Sequence, residues 1–424
     1  MCLLDNDKFK ADHKMNDTAF TRTRKLTFKV VTIIILQKSL KSLQNRLNHF
    51  FDNISSKIAP ATASAFTQAR SNLRHTAFIA LNKEGVVDPF YADGVYKKWH
   101  NYRLFAIDGS KIILPASRDI RDEFGAFTTT DKYGVPNGEY NAALASVLYD
   151  VLNGIPVDSN LAGCHSSELE LAKGHLKHIS EGDLLLADRN YPSYEVLASV
   201  LAHSGNFVIR CSRASFKEAR QMFDDIDAVT RVITITPHHM NSRRIKELGL
   251  PSELRVRLVR VILKTGEPEV LVTSLLDEGI SADDFKELYN LRWGIETYYH
   301  RLKTHLNLEN FSGLTPESVK QDFYAMIFLS GLEAVLVADA QEVLEAKDCK
   351  HGQRVNHAVS FNVLKSNIME LLHSKNDLSS VVAKMTSLFL ASPITTRKGR
   401  EVPRKVVPLS RSLNYQKRQR KIVF

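Results

Sequence analysis

The stretch YNLRWGIETYYHRLK, Tyr289 to Lys303, sets one acid, Glu296, among four bases and four large aromatic residues. It holds no proline and a single glycine, and it reads as a helix. At 100° per residue, Tyr289, Arg292, Glu296 and Lys303 succeed one another at steps of 3, 4 and 7 and share one face. A core-facing stripe would be apolar, and a solvated face would mix more acids among its bases. An Arg292–Glu296 surface ion pair explains part of the pattern and would contribute about 0.2–0.5 kcal/mol. What a lone carboxylate does among cations and rings has to be decided by the rest of the chain.

At 424 residues the chain exceeds one ordinary core, and two to four domains are expected. With 44% hydrophobic and 25% charged residues and no low-complexity tract, it reads as a folded soluble protein and not a disordered one. The net charge is +10, and residues 397–421 supply most of it, with ten Lys/Arg against Glu401, or +9. Such a tail suits a polyanionic partner, or serves only to solubilise the end of the chain. Cys2, Cys164, Cys211 and Cys349 are far apart, with no C-x-x-C pair, which argues against a disulfide framework or zinc ribbon and fits a reducing compartment. The most apolar run, VVTIIIL at Val30–Leu36, is too short to span a bilayer. The expected location is the cytoplasm, with no membrane partner.

Along the chain the texture changes several times. Residues 15–85 are helical in pattern, with Leu40, Leu43, Leu47 and Phe50 on one face, and Phe66, Ala69 and Leu73 on another after Pro60. RLFAIDGSKIILP, Arg103–Pro115, is an apolar strand giving way to a turn at Asp108-Gly109-Ser110. NAALASVLYDVLNGIPVDSNL, Asn141–Leu161, is a hairpin about Asn153-Gly154. A helix follows over Ser166–Ile179, then a strand ending on Asp188, a helix, and a strand at Asn206–Ser212. Residues 214–280 look mostly β, with a turn at Lys264-Thr265-Gly266-Glu267, after which helices return.

Asp108 and Asp188 stand out because each ends an apolar run that would be a buried strand. Either could simply cap the next turn. Strand-end Asp, hairpin, helix, strand-end Asp, helix, strand and a later helical acid is the order of an RNase H-like core. Three converging carboxylates repel one another unless a cation sits among them. Oxygen donors without a Cys/His cage favour Mg²⁺ or Mn²⁺. The expected fold is thus α/β: an RNase H-like mixed sheet with flanking helices, interrupted by a β-rich insertion, with helical N- and C-terminal regions. The expected divisions are 1–98, a helical DNA-binding domain; 99–213 and 283–345, the two parts of the catalytic core; 214–282, the insertion; and 346–424, a helical region with the basic tail.

On these motifs the chain resembles the DDE transposases of bacterial insertion sequences, in the IS-four group. That family's Tyr-x2-Arg-x3-Glu-x6-Lys box is matched by Tyr289, Arg292, Glu296 and Lys303, its D-G-[ST] by Asp108-Gly109-Ser110, and its D-R-x-Y by Asp188-Arg189-Asn190-Tyr191. The resemblance implies that Asp108, Asp188 and Glu296 are the catalytic residues and hold two Mg²⁺ or Mn²⁺ ions. It implies that Tyr289, Arg292 and Lys303 meet DNA, with Tyr289 either positioning a phosphate or packing on its helix. The implied partners are double-stranded DNA, as inverted-repeat ends and target, and a second copy of the chain, in a bacterial, nucleoid-associated setting. Two other readings are a metal-dependent nuclease without strand transfer and a DNA-binding regulator without chemistry. The only tryptophans are Trp99 and Trp293, so the insertion offers none to stack on a flipped base. Trp293 is read as buried packing, Glu168 and Glu170 as solvent-facing, Lys111 as a strand-edge lysine, and His238-His239 as a loop pair.

Overall fold

A computed structural model describes residues 3–21, 25–39, 41–54, 59–130, 135–373 and 377–396. The basic tail at 397–421, Leu40 and Cys2 lie outside the described residues. Nine strands form the main sheet: β1 (Arg103–Ile113), β2 (Ala126–Thr130), β3 (Pro136–Asp150), β4 (Ile155–Gly163), β5 (Asp183–Ala187), β6 (Asn206–Cys211), β7 (Thr230–Ile235), β8 (Leu254–Ile262) and β9 (Pro268–Thr273). Their order is β2-β3-β1-β5-β6-β9-β8-β7, with β4 also paired to β3. β1, β5 and β6 run parallel, whereas β9 meets β6 antiparallel. The path β4-β3-β1-β5-β6, a hairpin leading into parallel strands, is the RNase H-like arrangement. The mixed α/β fold anticipated from the order of motifs is the one observed.

Two details differ from the reading of the sequence. Asp108-Gly109-Ser110 is no turn, because β1 continues through it to Ile113. Its partner on the other side, β3, is 15 residues long and keeps the backbone paired after β5 has ended. The strands of the insertion also form no separate sheet. β9 joins the edge of β6, with Val208 opposite Thr273 and Ile209 opposite Val272, so β7–β9 extend the main sheet. The hairpin turn is where Asn153-Gly154 predicted it, with Gly154 at φ 76°, and Asp150 ties it down by accepting from the N–H groups of Leu152 and Asn153.

The chain divides into two compact units, residues 1–94, 111–143 and 300–424 in the first, and 95–110 and 144–299 in the second. The second unit's core is formed by Phe105, Leu148, Leu185, Leu197, Phe207 and Val272, all fully buried or nearly so. In the first unit the run Val30–Leu36 lies in a buried helix, Phe28–Leu36, capped by Thr27. It packs on the 30-residue helix Pro316–Glu345, which also meets Thr76–Asn82 and Leu378–Ala391. That long helix could cross a bilayer by length and composition, but 67% of its apolar window is buried and it carries Asp322 and Glu333 inside the protein. Both features make it a core helix.

Candidate active site

β1 and β5 lie side by side in parallel, and their last paired residues are Ala106 and Leu186. Asp108 and Asp188 each stand two residues further on, so the register brings both carboxylates to one level at the same end of the sheet. Glu296 comes from the helix Trp293–Thr304, and one tyrosine on it and one on the helix before it are anchored to this end of the sheet. The Tyr289 hydroxyl donates to the Ala187 carbonyl at 3.3 Å, immediately before Asp188, and Tyr299 donates to the Asp108 carbonyl at 2.9 Å. Gly294 permits the close approach, because a Cβ there would lie 3.3 Å from Val151 Cβ.

The opening stretch is not one unbroken helix. Ala282–Leu291 ends at Arg292, which keeps helical dihedrals but switches the ladder to tighter bonds, Arg292 N–H to Tyr289 and Ile295 N–H to Arg292. Arg292 is buried, and its Nη2 donates to Glu296 Oε1 at 2.7 Å. The pair anticipated on the surface therefore lies inside the site. Trp293 reverses the burial expected of it: its ring is 45% exposed, with the Arg292 guanidinium 5.3 Å away. Tyr289 is buried, with its hydroxyl on the β5 backbone. Lys303, in the first unit, has its Nζ on the Lys111 carbonyl at 2.7 Å and 3.8 Å from Glu309. Lys111, read as a strand-edge lysine, is exposed and lies near the end of β1, a strand inside the sheet.

A fourth acid was misjudged. Glu168, half-buried in the first turn of the helix Glu168–His175, reaches back to β1, where a Cβ on Gly109 would lie 2.7 Å from its Oε1. Glycine in the D-G-S motif thus makes room for a carboxylate. No periodic signal marks this in one dimension, since an acid in the first turn of a helix also serves the helix dipole. Tyr191 was matched as part of a motif and assigned no role. It is 1% exposed, its hydroxyl has no hydrogen-bond partner among the described residues, and it feels the charges of Asp108, Glu168 and Asp188.

Burial, and behind it the charges of Asp188 and Glu296, push the Asp108 carboxyl up from 3.8 to about 7, against the pull of the Gly109 N–H and Arg292. Carboxylates this close in field, with an orphaned buried hydroxyl beside them, fit a hard divalent cation chemically. Among the described residues, however, no three His, Cys, Asp or Glu side chains stand ready as a coordination shell. Each acid is held by a local donor instead: Asp108 by the Gly109 N–H, Asp188 by the Asn190 N–H, and Glu296 by Arg292.

A raised carboxyl pKa in the folded state means that folding takes up a proton, so the stabilisation is present below 3.8 and is lost as pH rises toward about 7. A divalent cation held by Asp108 would have to displace that proton. Affinity for Mn²⁺ is expected to fall by up to about tenfold per pH unit below 7, with one proton released, as read by titration calorimetry in buffers of different ionisation enthalpy. Affinity that does not change with pH would remove Asp108 from the metal's ligands.

The Transposase DDE domain family model matches residues 99–332, which include all four acids. "Putative transposase InsZ" of Escherichia coli (strain K12) is 25% identical over 171 residues, 40% of this chain and 56% of that protein. The matched segment thus spans little more than half of that relative's length. A cryo-EM structure of the piggyBac transposase synaptic complex with hairpin DNA aligns with 91% of this chain and 81% of its own, at 9% identity and a TM-score of 0.44.

Proposed function

The chain belongs to the family of DDE-domain transposases, and we propose that it binds the inverted-repeat ends of an insertion sequence and cuts and rejoins DNA there. The observation that carries this reading is the level placement of Asp108 and Asp188 on adjacent parallel strands, beneath a helix that offers Glu296. In this reading Asp108, Asp188 and Glu296 hold two Mg²⁺ or Mn²⁺ ions. When bound, such ions activate the attacking oxygen and stabilise charge on the leaving one. The protein's part is to hold and aim. Tyr299 fixes the Glu296 helix to β1, Tyr289 fixes the preceding helix to β5, and Arg292 directs the Glu296 carboxylate. Arg292 and Lys303 are the proposed phosphate contacts, Lys303 exchanging the Lys111 carbonyl for DNA while Arg292 Nη2 stays on Glu296. Assignment to the IS-four group rests on the Tyr-Arg-Glu-Lys spacing. A dimer on DNA, end reading by the N-terminal helices and residence at the bacterial nucleoid belong to the same proposal.

The test is strand transfer from pre-cut end duplexes with Mg²⁺. Joined product is expected. Hydrolysis without joining would make the protein a nuclease, and no reaction with any end would reject the reading. Glu168 gives a sharper check. Gly109→Ala sets a Cβ within 3 Å of Glu168 Oε1, Cδ and Cγ, so that side chain has to swing away, and the variant should lose about 1–3 kcal/mol of stability. Cleavage is nonetheless expected to drop about 10–100-fold, as when a group beside a metal ligand is displaced. Wild-type cleavage in this variant would show that Glu168 has no part in the reaction.

A further inference from the structure

The first unit contains a cleft of about 1020 Å³ with Lys38, Lys41 and Lys365 on its walls, Asn45, Asn362 and His305 between them, and no carboxylate among its described lining residues. The cations around it are poorly compensated. Lys38 is buried, donates to the Leu308 carbonyl at 3.3 Å and lies 3.9 Å from Asp322. That carboxylate is already engaged by Arg70 at 2.9 Å and by the Ser312 N–H at 2.6 Å. Arg46 spends its Nη2 on the Ile34 carbonyl, and its buried Nε has no partner among the described residues. Lys365, half-buried on the helix His357–His373, has neither an acceptor nor a carboxylate partner among the described residues.

The electrostatics agree with the geometry. Burial, then Lys38 and Arg46, hold the Lys365 ammonium down to about 7. Burial also brings Lys38 down to about 8 and Arg46 to about 10, with Asp322 pulling the other way in both cases. Lys38, Arg46 and Arg70 therefore share the Asp322 carboxylate, and Lys365 stands near Lys38 and Arg46 beside an open cavity. Desolvated charge of one sign is costly unless a counter-charge arrives. Packing alone would be better served at position 365 by an apolar side chain of similar volume.

We propose that this cleft is a phosphate-binding site that takes phosphodiester groups of bound DNA, with Lys365 and Lys41 as the contacting cations and Lys38 as a fixed charge behind them. The choice of DNA as the source of phosphate rests on the transposase reading, since the cations alone would also take a free oligophosphate. Lys365→Gln removes mutual repulsion, so its melting temperature is expected to rise. In the same variant, affinity for a random-sequence duplex should fall about three- to tenfold, and the slope of log K against log salt should become shallower by about 0.9. A packing residue would instead lose stability and leave the slope alone. Lys365→Arg should restore the slope. Tripolyphosphate should stabilise the wild type and be displaced by duplex. The proposal is overturned if Lys365→Gln keeps the wild-type affinity and slope, if tripolyphosphate binds at Lys365 without competing with duplex, or if the wild type binds neither ligand. Strand transfer from pre-cut ends is scored separately, so loss of the cleft and loss of the transposase reading are distinguishable.

Discussion

Glu296→Gln is expected to yield a folded protein that still binds DNA and cuts it at least about a thousandfold more slowly. The amide keeps an oxygen where Arg292 Nη2 now donates at 2.7 Å, so the buried guanidinium retains its acceptor and the helix its place. What disappears is the negative charge. Loss of a metal-holding charge removes several kcal/mol of transition-state stabilisation, and each 1.36 kcal/mol is a factor of ten in rate. The measurement is single-turnover cleavage of an end duplex in Mg²⁺, with binding followed in parallel. Cleavage within tenfold of wild type would take Glu296 out of the active site. Equal loss of binding and cleavage would make it a DNA contact.

The second large effect concerns stability. Asp322 is fully buried, paired with Arg70 at 2.9 Å, and accepts from the Ser312 N–H and hydroxyl. Burial alone would raise its carboxyl pKa, but Arg70, Lys38 and the Ser312 donors overcome that and hold it below its ordinary value. Its contribution is therefore present above the ordinary carboxylate pKa and is lost only as pH falls through the lower, folded value. Asp322→Ala leaves Arg70 and Lys38 charged, buried and unpaired, and should cost about 3–5 kcal/mol. Denaturant melts would show a lower midpoint, and Asp322→Asn, which keeps the Ser312 bonds, should lose less. A cost under about 1 kcal/mol in the alanine variant would mean that the Arg70 cluster relaxes into solvent.

Much of this was legible in one dimension because the signals were local. Asp188 follows five buried residues and precedes Tyr191, which is how a strand that stops at an active edge reads. The Asn153-Gly154 hairpin follows from φ preferences alone. Where the reading failed, the deciding contact was distant in sequence. β1 runs past Asp108 because β3, some thirty residues later, keeps it paired. Glu168 looked solvated because nothing near it in sequence shows Gly109 making room. Trp293 was assigned to the core by its size, yet the ladder changes at Arg292 and the ring stays partly in solvent. The Arg292–Glu296 pair, with its arginine buried and its acid half-buried, has the same one-letter spacing as a surface pair, and only tertiary packing tells them apart.

The antiparallel seam between β6 and β9 has a consequence for truncation. Because β9 pairs along β6, with Val208 opposite Thr273 and Ile209 opposite Val272, excising 214–282 would uncover a naked apolar edge ready to zip onto another molecule. Such a deletion should precipitate rather than give a trimmed enzyme. In deuterium labelling, the amides of β6 and β9 should open together as a single protected block.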